Sequence, residues 1–359
     1  MPTDTDIARW RLRSQGLVAP GAGDATGVVS SLLAVQAENP AQSAWAVATR
    51  TSTPDPSDLA AALADGRVLR THVLRPTWHY VCAEDLSWLL ELTAPRVRRI
   101  TRQQLSGTHG LDQRTVDQLT DVVLTALADE LTRTQLADLL SAAGHELSSH
   151  ALMILLSDLE LQGLVCSGAP VEGVHTYARL TDRVQTPRRL ARDEALAEIA
   201  LRYVRGHGPV TERDLAYWAT LTLTDVRAGL SAVAHRLATF EHDGRTFWHV
   251  PGEEPPAGPQ RPAAHLLQLL DETYRGYQDS RMVLDAAGVV PQGREAMIGM
   301  ALVDGQLVAA MKRTLTDTRV TFELRPHASW TPDHLADVED AAARCAAFLE
   351  RQPEVRLVG

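Results

Sequence analysis

A repeated order of predicted elements constrains the fold of this chain more than any other feature. Residues 131–137 (LTRTQLA) and 210–216 (VTERDLA) each follow a stretch with helical apolar periodicity. Thr132 and Thr211 stand where the N-cap of a short helix belongs. A further amphipathic helix and a β-hairpin follow in both places. Two copies of the order helix, short helix, third helix and hairpin predict tandem winged-helix motifs.

The sequence predicts where these elements lie. The first helices are predicted at 116–128 and 195–206, the third helices at 149–161 and 224–237, and the hairpins at 164–180 and 238–250. Asp243-Gly244 is a strong two-residue hairpin turn.

Residues 1–110 have the pattern of a third, diverged copy. Helices are predicted at 26–36 and 58–63, and another opens at Asp85. Residues 68–81 are rich in β-formers and carry Pro76, which is consistent with a hairpin or an edge strand.

A stretch dense in proline and glycine, residues 251–262, precedes the last part of the chain and cannot continue a helix or a central strand. Beyond it we expect antiparallel strands at 283–289, 297–303, 306–312 and 319–324, with Asp304-Gly305 as a turn and a closing helix at 332–349. The predicted class is α+β, ending in a small β-barrel or sheet. The predicted units are 1–110, 111–190, 191–252, a linker at 253–263, and 264–359.

The net charge of −10 argues against nucleic-acid binding unless the basic residues are concentrated locally. Arginines do cluster, at positions 96, 98, 99 and 102 and again at 179, 183, 188, 189 and 192. We therefore expect a basic groove in an acidic protein, with DNA binding that weakens as salt rises.

The sequence contains none of the usual signals for export or cofactors. Its first ten residues do not form a secretory signal, and no apolar run is long enough to span a membrane, so we expect a cytoplasmic protein without a membrane partner. Three scattered cysteines (Cys82, Cys166, Cys345) fit neither a disulfide framework nor a zinc site. We expect no metal and no cofactor.

Five ordered blocks of sequence, which together span most of the chain, resemble the AlkZ/YcaQ-like winged-helix DNA glycosylases. They read LLAVQAENP from residue 32, LRTHVLRPTWHYVCAEDLSWLL from 69, GPVTERDLAYWATL from 208, LLDETYRGYQDSR from 269 and LVDGQLVAAMKR from 302. The resemblance implies tandem winged helices in a C-shaped arrangement closed by a C-terminal β-barrel. It also implies a monofunctional glycosylase that removes N7-alkylated purines, bulky adducts and interstrand crosslinks from double-stranded DNA as a monomer.

The family's signature is glutamine, an apolar residue, and then glutamine or aspartate. This chain has Gln36, Ala37 and Glu38, so it keeps the carboxylate of the second form and adds one methylene. The glutamine-ending form is typical of antibiotic producers that protect their own DNA, and the aspartate-ending form of a broader housekeeping branch. We predict Gln36 and Glu38 as the catalytic pair, brought together where Pro40 stops a helix.

The remaining candidate residues are predicted to contact DNA. Period-two alternation places Arg75, Thr77 and His79 on one strand face, which would contact phosphate or line the cleft. The resemblance adds a barrel hairpin that reaches DNA. The full set of predicted DNA-binding residues is Asn39, Arg70, Arg75, Thr77, His79, Lys312 and Arg313.

Two alternatives stay open at this stage. The tandem motifs alone would allow a winged-helix DNA-binding or regulatory protein without catalysis, because a fold does not determine a function. A degenerate family member that senses a small molecule is the other. The position of Gln36 and Glu38, inside or outside a cleft, distinguishes the glycosylase from these alternatives.

Overall fold

The computed structural model describes residues 1–268, 270–291 and 299–358, in which helices and strands are interleaved. The helices are α1 (Asp4–Ser14), α2 (Ala25–Leu32), α3 (Pro40–Ala48), α4 (Asp58–Ala64), α5 (Ala83–Gln103), α6 (Gln113–Ala126), α7 (Arg133–Ala142), α8 (Ser149–Leu161), α9 (Leu180–Arg183), α10 (Arg192–His207), α11 (Glu212–Ala219), α12 (Leu223–Val233), α13 (Glu272–Arg275), α14 (Arg281–Leu284) and α15 (Pro332–Phe348). The strands are β1 (Val35–Gln36), β2 (Val68–His72), β3 (Trp78–Cys82), β4 (Leu131–Thr132), β5 (Val165–Ser167), β6 (Thr176–Arg179), β7 (Ala238–His242), β8 (Arg245–His249), β9 (Ala264–Leu267), β10 (Gly299–Val303), β11 (Gln306–Leu315), β12 (Arg319–Pro326) and β13 (Gln352–Leu357).

The two repeats form the predicted elements in the predicted order. Thr132 and Thr211 cap α7 and α11, and each forms a reciprocal capping box with the residue three positions on. The first repeat closes with a small sheet of order β4-β6-β5, and the second with the β7–β8 hairpin. Asp243 and Gly244 both adopt positive φ, as a type I′ turn requires.

The structure near Gln36 differs from the prediction of one continuous helix over 26–36. Helix α2 ends at Leu32, and Leu33 takes a positive φ of 68° that a helix cannot contain. Gln36 instead lies on the short strand β1, opposite His79 of β3, in a sheet of order β1-β3-β2. Pro40 begins α3 rather than stopping a helix, because proline at the first helical position loses no hydrogen bond.

The C-terminal part of the described chain is a curled half-barrel, not a closed barrel. Its five strands have the order β13-β12-β11-β10-β9, so β9 and β13 are the edges. Helix α15, predicted at 332–349, packs against this sheet and buries Val338, Ala342 and Phe348 in its core. An apolar helix on one face removes the need for the sheet to close on itself.

One predicted C-terminal strand is wrong, and another is confirmed only in part. Residues 283–289 form the end of α14 and a turn, because the Asp285 carboxylate accepts backbone N–H groups of Val289 and Val290 at 2.8 and 3.2 Å. The strand predicted at 297–303 is β10 from Gly299 on, and residues 297 and 298 lie outside the described residues. Strands β9 and β13 were not predicted.

The proline-rich stretch at 251–262 contains no helix or strand, yet it does not divide the hydrophobic core. Trp45 of α3 packs within the core of the half-barrel. Ile7 and Leu12 of α1 pack with Leu302 and Leu307 of the same sheet. The half-barrel is therefore joined through apolar contacts to the helices that flank β1, and the segment 36–38 lies beside this junction.

None of the described helices combines the length and apolar character needed to cross a bilayer.

Candidate active site

The side chains of Gln36 and Glu38 form hydrogen bonds to two consecutive residues, Thr77 and Trp78. In an extended segment, residues two apart point to the same side. The Gln36 amide donates from Nε2 to Thr77 Oγ1 at 3.2 Å, and the Trp78 backbone N–H donates to Glu38 Oε2 at 3.1 Å. The amide and the carboxylate therefore meet consecutive residues at the start of β3.

The two side chains differ in exposure but share an unused acceptor. Gln36 is only 2% exposed, whereas Glu38 is exposed. Gln36 Oε1 is buried without a hydrogen-bond partner, and Glu38 Oε1 accepts no hydrogen bond from the described residues. A buried acceptor that lacks a partner costs free energy, so such an atom marks a place where a bound molecule would be stabilised.

Arg70 supports this segment from behind instead of reaching outward. It is 7% exposed, and its guanidinium donates to Ala37 O at 2.9 Å and to Glu38 O at 3.4 Å. The same group lies 4.5 Å over the ring of Trp78, and it contacts His175 Nδ1 at 3.3 Å. The prediction that Arg70 binds DNA is therefore corrected, because its hydrogen-bonding groups face the protein.

The predicted row of Arg75, Thr77 and His79 is also corrected. Strand β3 begins at Trp78, so Arg75 and Thr77 lie in the turn before it. Arg75 is 8% exposed and donates to Arg275 O at 2.8 Å. His79 is fully buried, with Nδ1 2.9 Å from Thr77 O, and burial lowers its pKa to about 3. Neither Arg75 nor His79 is placed to contact phosphate, and Thr77 instead accepts from Gln36.

Three predicted DNA-binding residues lie at the surface. Asn39 is exposed at the N-terminus of α3. Arg313 of β11 is half-buried and donates to Ala41 O of α3 at 2.9 Å. Lys312 has a side chain that is 70% exposed and lies 3.7 Å from a carboxylate oxygen of Glu323.

The two arginine clusters of the sequence come together elsewhere. Arg98, Arg99 and Arg102 from the first cluster and Arg189 from the second line one cavity of about 690 Å³ beside α5. Arg98 is paired with Asp158 and Arg189 with Glu91. Residues 36–38 do not line this cavity.

Sequence reasoning missed Glu272, whose carboxylate lies directly behind Gln36. Glu272 is 1% exposed, and its Oε1 accepts the backbone N–H of Gln36 at 3.0 Å. Gln268 Nε2 donates to Gln36 O at 3.4 Å from the same part of the chain. The block LLDETYRGYQDSR was the only signal, and it does not show that Glu272 reaches across 236 positions.

No group of three or more potential metal ligands occurs among the residues that the structure describes. What the site offers is a carboxylate, an amide and nearby arginines. These groups suit hydrogen-bond acceptance, water orientation and contact with anionic phosphate.

Comparison with known proteins agrees with this architecture. A solved structure, the Streptomyces sahachiroi DNA glycosylase AlkZ, superposes with a TM-score of 0.78 over 99% of this chain and 100% of that one. At 21% identity, the likeness shows a common fold. A curated relative from the same organism, an interstrand DNA cross-link repair glycosylase, is 24% identical over 252 residues, or 67% of each chain.

The family described as DNA glycosylase AlkZ-like matches residues 29–348, which is most of the sequence. This match identifies the chain as a DNA glycosylase. The chain belongs to the AlkZ-like DNA glycosylase family.

Proposed function

We propose that this glycosylase hydrolyses the N-glycosidic bond of N7-alkylated purines in double-stranded DNA, including bulky adducts and interstrand crosslinks. The observation that carries the proposal is the pair of unoccupied oxygens, Gln36 Oε1 and Glu38 Oε1, on side chains that converge on Thr77 and Trp78. The relative that is named as an interstrand cross-link repair glycosylase supports the choice of lesion. DNA repair is the role that follows.

The chemistry of the lesion explains why two acceptors are sufficient. An N7-alkylated purine is a cationic leaving group, so its bond to C1′ is already weak. As that bond breaks, its electron pair moves to the purine and neutralises the ring, while positive charge builds on the sugar. The Glu38 carboxylate stabilises this charge, and water attacks C1′. Glu38 accepts the proton of the water, and Gln36 Oε1 orients it.

Simple hydrolysis is expected because the chain lacks a suitable amine. Cleavage of the strand by a glycosylase requires an amine nucleophile that forms a Schiff base with the sugar. Lys312 is the only lysine of the sequence, and it lies on β11 beside Glu323, outside the 36–38 segment. The product is therefore an abasic site in an intact strand.

We place the DNA along the edge formed by Glu38, Asn39 and Arg313, with the tandem units acting as winged helices that flank it. In the first repeat, α8 is buried along most of its length, from Ala151 to Leu161. A helix in that position cannot lie in the major groove, where a transcriptional regulator would place it. This burial excludes α8 as a major-groove helix, but not α12 of the second repeat, which keeps an exposed face.

The test is base release from a duplex that carries one N7-methylguanine or one N7-linked crosslink. After single-turnover incubation, heating with alkali converts each abasic site into a strand break, and omission of alkali should leave the strands intact. Glu38→Gln and Gln36→Ala should each lower the rate by about 10²-fold, the scale of a positioned acid–base or electrostatic group.

A matched control is Glu339→Gln, which makes the same chemical change on an exposed position of α15. This variant should keep the wild-type rate. Wild-type rates in both Glu38→Gln and Gln36→Ala would place the chemistry elsewhere in the molecule.

A further inference from the structure

Glu272 forms hydrogen bonds to three separate parts of the molecule. Its Oε1 accepts the Gln36 N–H at 3.0 Å. Its Oε2 accepts the indole N–H of Trp218 at 2.9 Å and lies 3.4 Å from Nε2 of His207. The side chain is fully buried, so these donors replace water around the carboxylate.

The direction of the Gln36 N–H explains why a partner is needed there. The next residue, Ala37, donates its N–H to Trp78 O at 2.8 Å, so β1 bonds to β3 through Ala37. The N–H groups of successive residues in a strand point to opposite edges of the strand. The N–H of Gln36 therefore points away from β3, toward the free edge of the sheet, and Glu272 is the acceptor on that edge.

The charge of Glu272 is compatible with this role. Burial alone would raise its pKa, but the hydrogen bond from His207 and the positive charge of Arg75 lower the pKa to about 2. Burial also lowers the pKa of His207, so at neutral pH that ring donates as a neutral group. The carboxylate is thus ionised, and an ionised acceptor forms stronger hydrogen bonds than a neutral one.

The backbone that carries Glu272 is itself held in place. Asp271 forms a two-pronged ion pair with Arg50, at 2.7 and 3.1 Å. A Cβ at Gly276 would lie 2.4 Å from Glu272 O and 2.9 Å from His207 Cδ2, so the chain passes His207 at a distance that only glycine permits. Gln268 adds a contact to Gln36 O.

We propose that Glu272 is a positioning residue for base excision. It accepts the backbone N–H of Gln36 and thereby determines where the Gln36 side chain lies. The inference rests on the proposed catalytic role of Gln36. Displacement of a reacting group by about 1 Å is enough to cost up to 10²-fold in rate. A contact from a region remote in sequence would thereby control the chemical step without touching the substrate.

The experiment is a double-mutant cycle on the single-turnover rate with an N7-methylguanine duplex. The variants are Glu272→Gln, Gln36→Ala and the two combined. Glu272→Gln replaces the charged carboxylate by a neutral amide, whose N–H₂ group cannot accept from Trp218. The hydrogen bond that the remaining oxygen accepts from the Gln36 N–H should therefore be weaker. We expect the rate to fall about 10-fold while the Kd for the same duplex stays within about twofold.

The combined variant gives the decisive comparison. If Glu272 acts through Gln36, the double variant is no slower than Gln36→Ala alone. If the two losses multiply, Glu272 supports the fold generally and the proposal is wrong. A wild-type rate in Glu272→Gln also overturns it. A wild-type rate in Gln36→Ala refutes the catalytic role of Gln36 itself, which is a separate result.

Two further variants separate positioning from stability. Asp158→Asn weakens a different pair, the one between Arg98 and the buried Asp158, without touching Glu272 or Gln36, so it should lower stability but leave the single-turnover rate of the folded protein unchanged. Trp218→Phe keeps an aromatic side chain but removes the indole N–H that donates to Glu272. It should lower the rate about twofold to fivefold, and it replaces Glu272→Gln in the cycle if that variant does not fold. An equal loss of rate in Asp158→Asn would overturn the proposal.

Discussion

The two faces of the segment 36–38 differ in almost every physical respect. Behind it lies a buried, hydrogen-bonded network that includes Arg50, Asp271 and Glu272. In front of it, Glu38 and Asn39 are exposed, and Arg313 donates to Ala41 O of the helix that follows. The carboxylates of Asp271 and Glu272 on the back face have hydrogen-bond partners within the protein, whereas the Glu38 Oε1 atom in front has none among the described residues.

This difference suggests a division of roles, in which the buried residues behind the segment stabilise the fold and the exposed residues in front of it act on DNA. Removal of a partner from a buried ion pair leaves an uncompensated charge in a region of low dielectric constant, which is costly. An exposed carboxylate is hydrated whether or not it has a protein partner. Apart from Glu272, which bonds directly to Gln36, changes behind the segment should therefore alter unfolding first, and changes in front of it should alter catalysis or DNA binding first.

The largest effect expected behind the segment comes from Arg50→Met. The two residues of the pair are 1% and 0% exposed, so the substitution leaves Asp271 buried without its cation. We expect the free energy of unfolding in urea to fall by about 3–5 kcal/mol. The control is Arg192→Met, which breaks the exposed pair with Asp225 at 2.8 Å and should cost about 0–1 kcal/mol. Equal losses in the two variants would contradict the distinction drawn here.

A smaller effect concerns pH, and it involves histidines in two regions. His79 behind the site and His265 in the half-barrel are fully buried, and burial lowers both pKa values to about 3. The unfolded chain takes up these protons below about pH 6.5 while the folded protein does not. Stability should therefore fall as pH drops from about 6.5 toward 3, by about 1.4 kcal/mol per pH unit for each histidine.

Urea unfolding between pH 7.5 and 5 measures this slope. His79→Asn or His265→Asn should each reduce the slope by about 1.4 kcal/mol per pH unit, which corresponds to one proton. Glu272 acts in the same direction at lower pH. Its pKa is lowered to about 2, so the stability it contributes is present above about pH 4.5 and is lost below that. A stability that does not change between pH 7 and 5 would show that these histidines are hydrated in solution.

The smallest effect on stability is expected in front of the segment. Arg313→Ala removes one half-buried cation that donates to Ala41 O and contacts the Cys345 thiol, so the free energy of unfolding should fall by about 0.5–1.5 kcal/mol, the contribution of a typical hydrogen bond. DNA affinity should nevertheless weaken. The slope of the logarithm of the association constant against the logarithm of the salt concentration should become shallower by about 0.9, the contribution of one phosphate contact. Fluorescence anisotropy from 50 to 200 mM salt measures this. An unchanged slope would remove Arg313 from the DNA-binding surface.

Local sequence rules predicted the repeated parts of the fold well. Thr132 and Thr211 cap short helices, and Asp243-Gly244 forms a tight turn, because each depends on residues only a few positions apart. The third helix of the first repeat occupies residues 149–161, as its periodicity predicted.

The surroundings of Gln36 were less predictable. A helical pattern through residue 36 gave way to β1, because pairing with β3 and the acceptor on Glu272 satisfy the backbone of Gln36 better than an exposed helix end would. Alternation placed Arg75 and His79 outward, but both side chains are buried: Arg75 lies in the turn before Trp78 and donates to Arg275 O of α13.

By itself, the sequence determined the helix caps, the hairpin turns and the α+β class, since all of these depend on neighbouring side chains. The catalytic pair of Gln36 and Glu38 rests on the resemblance to the family and stays a prediction. Only the tertiary structure decided which residues of the site are exposed to solvent and which form hydrogen bonds to the protein interior. Contacts such as the one between Gln36 and Glu272 join positions 236 residues apart. No local pattern encodes them, because they form only when several elements bury their apolar faces together.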